Sequence, residues 1–352
     1  MTTTQRTLDG ENTPVEKAYV VHVDCFTWLA SQPENTYHAI ISDPPYGFRE
    51  YTEKELVKLR NGKGGIWRLP PTFNGVTRGP LPRFTVLTKD ELAGISEKIK
   101  KWGRLALPVL RPGGHVFLAS NSFVSPYVAK GMIDAGFERR GELIRLLRGI
   151  RGGYRPKGAE EEFADMSMSP RSCYEPWGIY RKPMNGERVS DNLRKWETGA
   201  LRRTPDDKPF PDVLRSGFPT AKERAIFDHP SLKPQRFLRQ IVWTALPLGH
   251  GKLLDCFAGS GSTLAAAIAL GPRYKAIGLE IDAEFAKKAN EAVPLLAKVE
   301  VEWKDFNGIH PARSARPRTA FRGGSEPFES GKRRQASVRP SQRSAVGKRP
   351  LF

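Results

Sequence analysis

The chain has 352 residues, a formal charge of +19 and a hydrophobic share of 39%. That length holds one large α/β domain with insertions or two domains. The low hydrophobic share puts part of the chain outside any core, and the charge favours a polyanionic partner over an acidic or neutral surface. No run approaches the roughly 20 apolar residues of a membrane span. Cys25, Cys173 and Cys256 are far apart, which excludes the spacing of a zinc site and fits a reduced, cytoplasmic setting.

Residues 1–17 are polar and are expected to be disordered. Residues 19–23 read as a strand that ends at Asp24, and 26–29 as a short helix. Asp24 is either a helix cap or an acceptor for a ligand's amine or hydroxyl groups. The apolar run Ala39-Ile40-Ile41 is a second strand, broken by Ser42-Asp43-Pro44-Pro45-Tyr46-Gly47. Two prolines cannot continue a ladder, so this strand end presents a carboxylate, a backbone of fixed φ and an aromatic ring at one spot. An open α/β sheet places its ligand crevice at such ends. The set suits an amino group on a planar ring, with two acceptors for its N–H bonds and a stacking face.

A long basic and aromatic stretch without periodicity follows, residues 48–86, with Gly62, Lys63, Gly64, Gly65, Trp67 and Arg68. Its position after the strand end makes it a lid or a loop that contacts the polyanion. Residues 88–110 read as a helix stopped by Arg111-Pro112-Gly113-Gly114. Strands are expected at 115–119 and 142–147, with a helix at 125–135 between them. From Arg148 the texture turns Gly- and Arg-rich. Residues 173–180 look like another strand, while 185–225 are polar and turn-rich and look like an insertion rather than core. Pro234 opens a helix at 235–246, whose Phe237, Leu238, Ile241 and Val242 follow helical spacing.

The second chemical stretch is Asp255-Cys256-Phe257-Ala258-Gly259-Ser260-Gly261, between a strand at 252–255 and a small-residue helix at 264–270. Gly259 and Gly261 are expected to let backbone approach a ligand. A strand at 276–279 ends in Glu280, where a βαβ unit reads a ribose diol. A dinucleotide and S-adenosylmethionine both suit this turn; Leu264 stands where the dinucleotide pattern wants a third glycine. A helix at 283–296 and a short strand at 299–301 are expected to end the domain. Residues 311–352 carry 11 Lys and Arg against 2 Glu. Their Pro, Ser, Gly and Arg cannot bury enough surface to fold, but such a tail suits phosphate backbones.

Asp-Pro-Pro-Tyr at 43–46 resembles the catalytic motif of DNA amino-methyltransferases, and Asp255-x-Phe257-x-Gly259-x-Gly261 resembles their S-adenosylmethionine motif. The order of the pieces, with His229-Pro230-x-x-Lys233-Pro234 between them, looks like the beta group of that family. The resemblance implies a Rossmann-like S-adenosylmethionine-dependent methyltransferase fold: α/β, with a mostly parallel seven-stranded sheet, circularly permuted. It implies a methyltransferase domain at 18–310, made of a catalytic half (18–147), a target-recognition insert (148–228) and a cofactor-binding half (229–310), followed by the basic tail. By matching position, Asp43, Pro44, Pro45 and Tyr46 carry the target base. Asp24, Lys233, Pro234, Asp255, Phe257, Ala258, Gly259, Ser260, Gly261 and Glu280 fall on the cofactor side. The implied partners are double-stranded DNA and a cognate restriction enzyme. Asp directly before Pro44-Pro45 is the adenine-N6 pattern, with cytosine-N4 as the alternative. An RNA or protein amino-methyltransferase, or a non-catalytic nucleic-acid-binding protein, is the more distant alternative. Cys256 stands where many relatives carry proline and is not in the Pro-Cys context of a ring-carbon methyltransferase.

Overall fold

A computed structural model describes residues 18–45, 72–73, 76–77, 89–147, 153, 155–156, 158–186, 188–229 and 232–301. Tyr46, the polar start, most of the stretch 48–86 and the tail 311–352 lie outside the described residues. In chain order the elements are β1 (Ala18–His22), α1 (Cys25–Leu29), β2 (Tyr37–Ser42), the hairpin β3 (Thr72–Phe73) and β4 (Val76–Thr77), α2 (Lys89–Val109), β5 (Leu110–Ala119), α3 (Ser125–Asp134), β6 (Glu138–Leu146) and β7 (Tyr174–Arg181). There follow α4 (Val189–Trp196), β8 (Val213–Arg215), α5 (Ala221–Ile226), α6 (Gln235–Ala245), β9 (Gly251–Asp255), α7 (Ser262–Ala269), β10 (Tyr274–Glu280) and α8 (Ala283–Ala297). No helix among the described residues is long and apolar enough to cross a membrane.

The main sheet runs β1-β10-β9-β2-β5-β7-β6-β8. The five strands from β1 to β5 are mutually parallel; β7 is antiparallel to both β5 and β6. β2 is buried at every position, as a central strand covered on both faces should be. Its alternation divides the core. Ala39 and Ile41 join the cluster built with α6, α7 and α8, and Ile40 joins the one built with α1, α2 and α3; Tyr37, before the irregularity in the pairing with β5, joins the latter out of step with the alternation. The result is helices on both faces of one sheet, with the N-terminal helices on one side and the C-terminal helices on the other.

The sheet has eight strands rather than the expected seven. The extra one, β8, is a three-residue edge strand parallel to β6, and it comes from the stretch read as an insertion. Only Leu214 of its three residues is buried, too little to register as periodicity. The same stretch holds α4, whose Asn192 is fully buried and donates to the carbonyls of Pro112 and Thr198 at 2.9 and 2.8 Å. Arg111 to Gly114, expected to lie between elements, form an irregularity inside β5: Tyr37 pairs with Leu110 but Ala39 already pairs with His115. Gly113 there has φ +79°, and a Cβ on it would sit 2.5 Å from Asn192 Nδ2. The stretch 185–225 is therefore docked at α4 by the Asn192 hydrogen bonds and at β8 by strand pairing and buried Leu214. Residues 299–301 form no strand. The Arg239 guanidinium donates to the carbonyls of Ala297 and Val299 at 3.1 and 2.9 Å and ties the end of α8 and the residue past its cap to α6.

Candidate active site

Four neighbouring parallel strands, β1, β10, β9 and β2, run in the same direction, and each ends at an acid: Asp24, Glu280, Asp255 and Asp43. The crossover loops leave the sheet on this edge, which is where an open α/β sheet gathers ligand-binding groups. The two sequence stretches meet directly. Cys256 N donates to Ser42 Oγ at 2.9 Å, and the Ser42 hydroxyl also reaches the Asp255 carboxylate. Asp255 is buried and accepts from Phe257 N at 3.1 Å. Burial pushes its carboxyl up to about 6 against the hydrogen bonds from Thr263, Phe257 and Ser42, and the negative charge of Asp43 adds to the rise.

Beyond Asp255 the loop turns through Gly259 at φ +49° and Gly261 at φ +70°, a region that favours glycine. Their neighbours differ from the sequence expectation. A Cβ on Gly261 would lie 2.5 Å from Val293 on α8, and one on Gly259 would lie 3.0 Å from the His229 ring. Both glycines therefore also make room for protein neighbours. Glu280 ties the loop down: Gly259 N donates to its Oε2 at 2.8 Å and Asp282 N to its Oε1 at 3.0 Å. Each oxygen keeps a lone pair for a ligand hydroxyl. Ala258 is buried and donates its N–H to Leu279 O. Ser260 is turned inward onto Ser262 at 2.7 Å. Phe257 packs beside Trp102 of α2, ring centroids 6.1 Å apart. Asp24 caps α1, accepting from Thr27 N at 2.9 Å.

Pro44 is buried and Pro45 exposed. Pro234 starts α6, as expected. Lys233, expected on the cofactor side, has its ammonium paired with Asp43 Oδ2. Glu175 Oε2 lies 3.8 Å from the same nitrogen. Glu175 and its partners Arg145 and Trp177 are site residues the sequence reading missed. The signal for them was a single acid inside the otherwise apolar run Tyr174-Glu175-Pro176-Trp177. His229 was also missed as a site residue. It stacks edge-on against Phe285 with centroids 4.6 Å apart, and burial, helped by the Lys233 charge, pushes it down to about 4.

Among the described residues one cluster has metal-ligand composition: His38, Glu197 and His250. It lies at the other end of the strands, around the starts of β2 and β9. Lys252 N donates to His38 Nδ1 at 3.0 Å, so the ring proton sits on Nε2 and points at Glu197, 3.1 Å away. Arg111 already occupies the same carboxylate oxygen at 2.7 Å. These contacts make a hydrogen-bonded clamp between strand ends, not a ligand set.

The acids and the cation of the site also test the implied cofactor. Among the described residues at these four strand ends the acids outnumber the cation Lys233, which disfavours a pyrophosphate there and suits a sulfonium with a ribose diol. The sequence profile of the DNA methylase family matches residues 37–291. The Type II methyltransferase M2.DpnII of Streptococcus pneumoniae is 23% identical over 280 residues, covering 78% of this chain and 89% of that protein. Among solved structures, the cytosine-N4-specific PvuII DNA methyltransferase has a TM-score of 0.50 at 13% identity, covering 82% of this chain and 90% of that one. The complex of M1.HpyAVI with S-adenosylmethionine has a TM-score of 0.44 at 15% identity, covering 78% and 99%.

Proposed function

The chain belongs to the DNA methylase family, and from that premise we propose that it methylates the exocyclic N6 amine of adenine in duplex DNA, with S-adenosylmethionine as donor. The observation that supports this most is the row of four acids on adjacent strand ends, with the acid-proline corner of β2 beside the glycine corner of β9. S-adenosylmethionine supplies a methyl group already activated on a sulfonium. On this reading Asp24 and Glu280 would hold it by its hydroxyl and amino groups, with the loop at 257–261 beside it.

The target amine is a poor nucleophile because its lone pair is delocalised into the ring. Asp43 and the carbonyl of Pro44 accept its two N–H bonds and favour a pyramidal nitrogen. The lone pair is then free to face the methyl carbon, and orientation of this kind supplies much of the rate. The base cannot be reached inside the duplex, so it is flipped out, and Tyr46 offers its stacking face. Asp43 directly before Pro44-Pro45 favours adenine over cytosine. The loops of 148–228 are assigned to base recognition, within a methyltransferase domain spanning 18–310. The type II designation of the pneumococcal relative extends the reading to a restriction–modification system with a cognate restriction enzyme.

The test is a transfer assay with tritiated cofactor on unmethylated duplex DNA, RNA and protein, followed by mass spectrometry of the hydrolysed product. N6-methyladenine from duplex DNA is expected. N4-methylcytosine would reassign the base, and label in RNA or protein alone would refute the substrate.

A further inference from the structure

We propose that Glu175 is a positioning residue for the transfer: it is the second station for the Lys233 ammonium, which rests on Asp43 and moves aside when the target amine arrives. The inference rests on the function proposed above and adds to it a residue outside both motifs.

Lys233 and Asp43 are the flexible and the fixed halves of one ion pair, with side chains 11% and 15% exposed. The oxygen that Lys233 holds belongs to the carboxylate that must accept the amine's N–H. An ammonium and an amine are both donors to that carboxylate, and the bulk and charge of the ammonium stand where the amine must arrive. Glu175 is close enough to receive the displaced ammonium, its Oε2 already 3.8 Å from Nζ. Lysine is suited to such a move because its charge sits on a flexible four-carbon stem with three rotatable donors.

Glu175 itself is held still. Trp177 Nε1 donates to its Oε1 at 2.7 Å and Arg145 donates to the same oxygen at 3.2 Å. Arg145 is pinned in turn: its Nε donates to Ser216 Oγ at 3.0 Å, another nitrogen to Gly217 O at 3.1 Å, and the guanidinium lies over the Phe237 ring at 4.9 Å. Burial alone would raise the Glu175 carboxyl, but Lys233 and Arg145 outweigh it and hold it below the usual carboxylate range. Glu175 is therefore a fixed anion. The row Asp43, Lys233, Glu175, Arg145 alternates in sign and sums to zero, the condition for tolerating charge in a site this closed. Moving Lys233 along the row changes which acid it neutralises without changing the total.

The test is a double-mutant cycle in the full-length chain, with Glu175→Gln, Lys233→Met and the combination. Single-turnover methylation of duplex DNA and calorimetric titration of S-adenosylmethionine are the readouts. Glu175→Gln keeps the acceptor for Trp177 and removes the charge. We expect it to slow methyl transfer by about tenfold or more while cofactor affinity stays within about twofold, with Glu175→Asp recovering part of the rate. In the Lys233→Met background the same change is expected to cost less than about twofold, since the residue it acts through is gone. An equal cost in both backgrounds, or a wild-type rate for Glu175→Gln, overturns the role. If Glu175→Gln does not fold, the Glu175→Asp cycle is decided by the same criterion. The wild-type chain run in parallel separates the two layers: no transfer to DNA by the wild type sinks the functional reading, whereas an active wild type with an additive cycle sinks only the role of Glu175.

Discussion

Asp43 and Glu280 are both acids at strand ends, yet their surroundings differ, and variants should separate their roles. Asp43 pairs with the Lys233 ammonium and precedes a buried proline, so replacing it removes a charged acceptor at the strand end. Asp43→Asn should lower the methylation rate on the order of 10²–10³-fold, the scale of losing one group aimed at the reacting centre. Calorimetry should show cofactor binding largely unchanged; a wild-type rate would remove Asp43 from the mechanism. Glu280 satisfies two backbone N–H groups, of Gly259 and Asp282. Glu280→Ala should therefore weaken cofactor binding and also destabilise the fold by about 1–3 kcal/mol for the donors left unpaired. Unfolding in urea and titration calorimetry measure the two effects separately, and unchanged affinity would refute the cofactor role. At this scale the sequence was a good guide to which residue types gather and a poorer guide to what each touches. The glycines were legible as glycines in a turn, but the packing of Gly261 against Val293, a residue 32 positions away on another helix, was not. Lys233 was legible as part of a motif, but its partner at position 43 is set by tertiary structure alone.

The strands and helices around both motifs carry strong apolar patterns, and those patterns were legible. What was not legible is structure held by polar contacts. α4 is anchored by a buried asparagine instead of an apolar stripe, and β8 offers one buried residue. No periodicity reports such elements, and the polar composition of 185–225 points the other way. The sheet also contains polar positions that bear on stability. Burial pushes His38 of β2 down to about 4 despite the hydrogen bond to Glu197, and burial together with Arg181 and Arg140 pushes His115 of β5 down to about 3. Both are neutral in the fold, while the unfolded chain takes up their protons near 6.5. Their contribution is thus complete above that value and is lost as pH falls toward the folded values. His229 acts in the same direction. Asp255, pushed up to about 6 by burial, acts in the opposite one, because the fold holds its proton where the unfolded chain does not. The net loss between about pH 6.5 and 5.5 should be on the order of 2–3 kcal/mol, seen as a falling urea midpoint. Asp255→Asn removes the opposing group and should make that fall steeper. A midpoint that is flat over this range, or shallower in the variant, would contradict the assignment.

At the level of the whole molecule, charge and fold divide the work of binding DNA. The acids at the strand ends are a poor surface for phosphates, so attraction to the duplex must come from elsewhere in a chain of net charge +19. Residues 311–352 hold nine of those net charges, and they lie outside the span that matches the family, 37–291. This tail is therefore expected to add affinity that is independent of sequence, and to leave the chemical step alone. Each phosphate that the tail no longer neutralises should make log K against log salt shallower by about 0.9. A chain ending at residue 310 should bind duplex DNA more weakly at low salt, with a visibly shallower salt dependence by fluorescence anisotropy. Its single-turnover methylation rate at saturating DNA should match that of the full chain, since the four acids and Lys233 are untouched. An unchanged slope would mean that the tail does not meet the phosphates. A slower transfer step at saturation would mean that it reaches the site itself, and the separation of charge from chemistry would have to be given up.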